Sequence, residues 1–136
     1  SAASDVYKRQ GEPSSLRRPL LAYDGTPMAR EALFVAAYLA LRAKAPLVVV
    51  CVEEEVVDPA DALSEARMWL QRHGVRAAYV QEEGPVAEAI LRTAEVHERD
   101  LILMGGYGHR PLVEVMLGST VDQLLQDSRV PVVICR

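Results

Sequence analysis

Met104-Gly105-Gly106-Tyr107-Gly108-His109-Arg110-Pro111-Leu112-Val113-Glu114-Val115-Met116-Leu117-Gly118-Ser119-Thr120 is the stretch on which the reading of this chain turns. It follows the apolar run Leu101-Ile102-Leu103 and leads into a segment with helical spacing. Gly105 and Gly108 are separated by two residues; Gly118 comes after nine more and is followed at once by Ser119 and Thr120. Glycine tolerates positive φ and puts no Cβ between its N–H and a ligand. A Ser-Thr pair at a helix start sets hydroxyls beside N–H groups that have no partner within the helix. At the carboxyl end of a strand, this combination predicts an anion site, most naturally for phosphate. A tight strand–loop–helix turn without a ligand would use the same glycines, so the motif needs its context.

That context alternates. Residues 19–23 predict a short strand ending at Asp24. Thr26 suits a helix N-cap and Pro27 the first helical position. The helix runs to about Lys44, with Ala29, Ala32, Leu33, Ala36, Ala37 and Ala40 on one face. Residues 47–52 are continuously apolar and mostly β-branched, as in a central parallel strand covered on both faces. Asp58 and Pro59 open a second helix with Ala62, Ala66, Trp69, Leu70 and His73 on one side, and Gly74 stops it. Residues 76–81 predict a weaker strand nearer an edge. Gly84 and Pro85 start a third helix with Val86, Ile90, Leu91 and Ala94 inward. After the strand 101–104 and the glycine stretch, a helix over 119–127 and a strand over 130–135 close the chain. Five strands and four helices in alternation, joined by right-handed crossovers, give an α/β fold: an open parallel sheet with helices on both faces.

The pattern Gly-x2-Gly-x9-Gly-Ser resembles the nucleotide-binding signature of universal stress proteins. Leu20-Leu21-Ala22-Tyr23-Asp24-Gly25-Thr26 resembles that family's first strand and its Asp-Gly-Ser turn, and Pro131-Val132-Val133-Ile134-Cys135 its closing strand. The resemblance covers residues 19–136 as one domain. It implies a Rossmann-like, adenine nucleotide alpha hydrolase-like sheet of strand order 3-2-1-4-5. The switch point would lie between the first and fourth strands, where ligands bind beyond the carboxyl ends. Asp24 and Gly105 would meet there.

The implied ligand is ATP, with magnesium as an accompanying ion. Gly105, Gly108, Gly118, Ser119 and Thr120 would cradle phosphate and ribose. Asp24 would accept from ribose hydroxyls or orient a magnesium ion through water; alternatively its carboxylate satisfies its own turn. Val52 stands where the family reads the adenine edge with backbone, and Ala22 and Met104 would be apolar walls. Tyr107 departs from the family pattern, in which small, hydroxyl or histidine residues are expected. Glu53, Glu54 and Glu55 form either a solvated acidic loop or a gate or magnesium anchor at the pocket mouth. His109 and Arg110 face phosphate oxygens or solvent.

Composition bounds the rest. The 136 residues suit one domain, with 50% apolar and 25% charged residues. A net charge of −4, without a basic stripe, argues against nucleic acid and anionic membrane as partners. No run of about 18 apolar residues is present, and the first residues carry charges without the apolar core of a secretory signal. Cys51 and Cys135 stand alone in apolar runs, as buried thiols do in a reducing cytoplasm. No Gly-x4-Gly-Lys-Ser/Thr or Gly-x-Ser-x-Gly motif occurs, and His73, His97 and His109 lack metal-ligand spacing. The third strand ends in Val80-Gln81-Glu82-Glu83, without the acceptor Asp of a phosphoreceiver.

Residues 1–18 are expected to be a disordered tail or linker. Ser1 to Gln10 resembles a translated sequencing-adapter scar, and tandem copies are common in the family resembled, so an upstream domain is expected as an alternative partner to a second copy. The last strand is expected at a bare edge, where a homodimer or such a pseudo-dimer would form. The function implied is a cytoplasmic, ATP-binding stress sensor or regulator with slow turnover at most and no catalytic residue. The alternatives are a ligand-free dimerisation module and a nucleotide hydrolase or transferase.

Overall fold

Six strands and four helices occur in the order β1 (Ser4–Tyr7), β2 (Pro19–Ala22), α1 (Pro27–Ala43), β3 (Leu47–Glu53), α2 (Pro59–Arg72), β4 (Ala77–Glu83), α3 (Val86–Val96), β5 (Leu101–Gly105), α4 (Ser119–Asp127) and β6 (Val132–Cys135). The structure, a computed structural model, describes residues 4–7, 15–54, 58–106 and 119–136. Five strands run parallel in the spatial order β4-β3-β2-β5-β6. Counted among themselves along the chain, these are 3-2-1-4-5, the order expected. β2 is central: Leu20 lies opposite Val48 on one side and Ile102 on the other, and Ala22 opposite Val50 and Met104.

Side chains alternate across the sheet with period two, and this splits the core. Leu21, Val49, Cys51 and Leu103 face α1 and α2, while Leu20, Val48, Val50, Ile102 and Met104 face α3 and α4. The buried face of α1 is the alanine-rich one expected, Ala29, Ala32, Leu33, Ala36, Ala37 and Ala40. Such small side chains let the helix axis approach the sheet closely. On α2 the buried stripe runs through Pro59, Ala62, Leu63, Ala66 and Leu70. Trp69 is half-buried and packs against this core, with the Phe34 ring at 5.0 Å and the His73 ring stacked at 3.9 Å.

Two expectations for the chain start are corrected. Ser4–Tyr7, read as unstructured, pairs antiparallel with β6, from Ser4 opposite Cys135 to Tyr7 opposite Val132. The last strand is therefore not the sheet edge; its own chain covers it. Residues 15–18 are also tied down. The Asp100 carboxylate accepts the backbone N–H groups of Arg18 at 2.8 Å and Arg17 at 3.2 Å and the Ser15 hydroxyl, and the Asp100 N–H donates to the Arg18 carbonyl at 3.0 Å. Burial works to raise the Asp100 carboxyl, but these donors outweigh it and hold it below the usual range. Among the described residues the sheet's two edges are β1 and β4, and β4 matches the weaker third strand of the sequence reading.

Candidate functional site

β2 ends at the switch point, with β3 and β5 on its two flanks, so three strand ends share one crevice. Gly25, at φ +80°, turns the chain out of β2. The Asp24 Oδ1 accepts the Thr26 N–H at 3.0 Å and the Thr26 hydroxyl at 2.7 Å. Thr26 in turn caps α1, its Oγ1 accepting the Ala29 N–H at 3.2 Å. Pro27 has no N–H to offer, so among the described residues Met28 holds the one first-turn N–H of α1 without a protein acceptor.

Tyr23 anchors this turn from below. Its hydroxyl donates to Glu65 on α2 at 2.9 Å, and the Arg30 Nε donates to the same carboxylate oxygen at 2.8 Å. Burial first, then the Glu65 carboxylate, push the Tyr23 phenol up to about 12. It therefore remains a neutral donor at physiological pH. The strand end that carries Asp24 is thus fastened to both helices on its face of the sheet.

Gly105 reaches the crevice for a reason of packing. A Cβ there would stand 2.5 Å from the Ala29 nitrogen and 2.6 Å from the Met28 carbonyl carbon, both backbone atoms of the first turn of α1. The glycine lets the positive end of α1 approach the end of β5. The Gly106 N–H is already used, donating to the Cys135 carbonyl at 2.7 Å. It supplies no donor to a ligand.

The resulting pocket is lined by Ala22, Tyr23, Asp24, Thr26, Pro27, Met28, Val50, Val52, Glu54, Val86, Ile90, Met104, Gly105, Gly106 and Thr120. Of the residues named from the sequence, Ala22, Asp24, Val52, Met104, Gly105 and Thr120 are brought together on this wall. Ser119 opens α4 beside Thr120 but is exposed and off the wall. Gly108 and Gly118 lie outside the described residues, as do Tyr107, His109, Arg110 and Glu55. Sequence reasoning missed Met28, Val50, Val86 and Ile90 as lining residues. Its only signal for the last three was their apolar spacing, which core and pocket floor share.

The pocket has three chemical zones. Ala22, Val50, Val52, Val86, Ile90 and Met104 form an apolar slot on the α3 face of the sheet. The start of α1, with Met28, brings a positive helix end to the pocket wall, and Thr120 of α4 adds a hydroxyl. Asp24 and Glu54 contribute two carboxylates, and no Lys, Arg or His stands among the described lining residues. Burial, then the charge of Asp24, push the Glu54 carboxyl up. Burial, followed by Asp24, Glu54 and Asp58, raises the Cys51 thiol to about 11, so it stays protonated and poorly nucleophilic. Among the described residues no group of three or more His, Cys, Asp or Glu is gathered to hold a metal, and no helix is long and apolar enough to cross a membrane.

Comparison with known proteins agrees with this layout. A universal stress protein of Synechocystis sp. is 32% identical over 124 residues, 90% of this chain and 43% of that protein. The crystal structure of a universal stress protein from Archaeoglobus fulgidus superposes with a TM-score of 0.82 at 28% identity, covering all of this chain and 50% of that one. The chain thus spans about half the length of each. Two more distant structures share the fold: a universal stress protein in complex with cAMP (TM-score 0.73, 19% identity, 96% of this chain and 97% of that one) and one from Archaeoglobus fulgidus in complex with dAMP (TM-score 0.71, 17% identity, 88% and 97%). The model of the universal stress protein family matches residues 16–136, the whole sheet apart from β1. With that match over a 3-2-1-4-5 sheet and its switch-point pocket, the chain belongs to the universal stress protein family.

Proposed function

We propose that this domain binds an adenine nucleotide, ATP first among them, and serves as a cytoplasmic sensor or regulator in a stress response. One observation carries the reading: one pocket joins an apolar slot suited to a flat base with the positive start of α1 and the Thr120 hydroxyl, both suited to phosphate. The cAMP and dAMP complexes of proteins with this fold support the adenine class. Magnesium would enter with the phosphates, since hard cations keep oxygen ligands and several waters. Turnover is proposed to be slow. Phosphoryl transfer depends on stabilising charge in the transition state, and the described lining residues include no cation.

Isothermal titration with ATP should show saturable heat and a rise in melting temperature. A single-turnover assay should show phosphate release well below about 1 s⁻¹, the low end of ordinary enzymes. No heat and no thermal protection at about 1 mM ATP, a concentration that detects even weak sites, would sink the binding claim. The second reading, a ligand-free interaction module, is favoured by one observation: Gly105 and Gly106 both have packing or backbone tasks without a ligand. Mass spectrometry of nucleotide co-purified with the protein separates the two.

For assembly, we propose that β6 accepts an antiparallel strand from a second copy, or from an upstream domain of the same fold, whenever β1 vacates it. The strand is short and apolar, and its outer hydrogen-bonding groups are met by Ser4–Tyr7. Removal of residues 1–14 should therefore move the sedimentation coefficient from monomer toward dimer at tens of micromolar, on the order of concentrations at which exposed edges associate. An unchanged monomer after truncation would refute it.

A further inference from the structure

Along β3 and one residue past it, Val50, Val52 and Glu54 all line the pocket, at the two-residue step that puts side chains on one side of a strand. The apolar row against which a base would pack therefore ends in a carboxylate. At about 3.3 Å per residue, that carboxylate stands one side-chain row beyond Val52, toward the mouth. Glu53, between them in sequence, is exposed and off the pocket wall. Glu54 is half-buried, and among the described residues no donor or cation meets it. Its nearest charged influence is repulsive: Asp24 lines the same pocket, and its charge acts on Glu54. A partly desolvated carboxylate without a partner is costly, and a ligand can relieve that cost only with hydrogen-bond donors. An anion placed there would add to it.

We propose that Glu54 is a specificity-determining residue of the pocket: it accepts hydrogen bonds from the neutral, donor-bearing nucleoside portion of the ligand, through an exocyclic amine or sugar hydroxyls, and turns phosphate away from the β3 side. This rests on the nucleotide reading and adds a selection rule to it. The phosphates are left the flank where the start of α1 and Thr120 of α4 stand. Adenosine is the ligand that depends most on Glu54. ATP carries a second attachment and suffers the carboxylate's repulsion as well.

The test is the ratio of adenosine to ATP affinity in Glu54→Gln, which keeps the side-chain shape and removes the charge. Adenosine should bind roughly tenfold more weakly, the scale of one charge-assisted hydrogen bond, while ATP loses less or gains. The ratio then shifts about tenfold toward ATP. Glu53→Gln makes the same change in net charge one residue away on an exposed side chain, and should leave the ratio unmoved. An unchanged ratio in Glu54→Gln, or an equal shift in Glu53→Gln, overturns the proposal while leaving nucleotide binding intact. If the unsubstituted protein takes up neither adenosine nor ATP, the nucleotide reading itself falls, and the role of Glu54 with it.

Discussion

Gly105→Ala is expected to lower stability by about 3 kcal/mol, the upper range for forcing extra volume into a packed site. For a domain of this size, that is a fall in melting temperature of roughly 10 °C. The atoms that a Cβ would strike belong to the backbone of α1, at 2.5 and 2.6 Å, so no rotamer change can relieve them. The whole first turn would have to retreat, carrying Ala29, Ala32 and Leu33 off the sheet. It would also carry away the Met28 N–H and the Thr26–Asp24 turn. Gly74→Ala is the matched control. Gly74 sits at φ +72° with nothing within 4 Å of its missing Cβ, so only left-handed backbone strain of about 1–2 kcal/mol applies. Thermal denaturation of both variants decides. If Gly105→Ala melts like the parent but no longer binds ATP, the glycine serves a phosphate directly and the packing account is wrong.

Gly105 also shows how far the sequence could be read. Its presence after an apolar strand marked the correct strand end, yet the motif suggested a ligand-facing task, and the close approach of α1 could be seen only with the helix in place. The strand order leaned on the family resemblance; the alanine face of α1 did not. Six small or apolar residues at three- and four-residue steps define a buried stripe whatever they pack against, and the same six are buried. α2 was read less well because Leu63, not His73, completes its inner face. The imidazole instead stacks on Trp69 near the exposed helix end. β1 was not legible at all. Pairing with an open edge is made by backbone groups, which leave little trace in four residues of sequence. The pocket was legible where polar or glycine residues mark it, at Asp24, Gly105 and Thr120. It was hidden at Val86 and Ile90, because an apolar residue over a cavity and one over a core look alike in sequence. Gly108 and Gly118, the other glycines of the motif, lie outside the described residues.

Asp24 allows the two roles proposed for it to be separated by substitution. One carboxylate oxygen, Oδ1, is occupied by Thr26, through its N–H and its hydroxyl. The other oxygen has no partner among the described residues and belongs to a side chain on the pocket wall. Asp24→Asn keeps an acceptor for Thr26 and replaces the second oxygen with an amide donor. If that oxygen accepts from ribose, adenosine and ATP should both bind roughly tenfold or more weakly, the loss expected for a charge-assisted hydrogen bond of about 1.5–3 kcal/mol. The melting temperature should stay within about 3 °C, the shift for less than ~1 kcal/mol. Asp24→Ala removes both roles, so it should add a stability loss of about 1 kcal/mol from the broken turn and the loosened Thr26 cap. Titration calorimetry and thermal denaturation on the two variants give four readings. Full affinity in Asp24→Asn, with destabilisation confined to Asp24→Ala, would make Asp24 a turn residue alone and leave the ribose to other groups of the pocket, the Thr120 hydroxyl among them. Lost affinity in both variants, with stability lost only in alanine, assigns one oxygen to the fold and the other to the ligand.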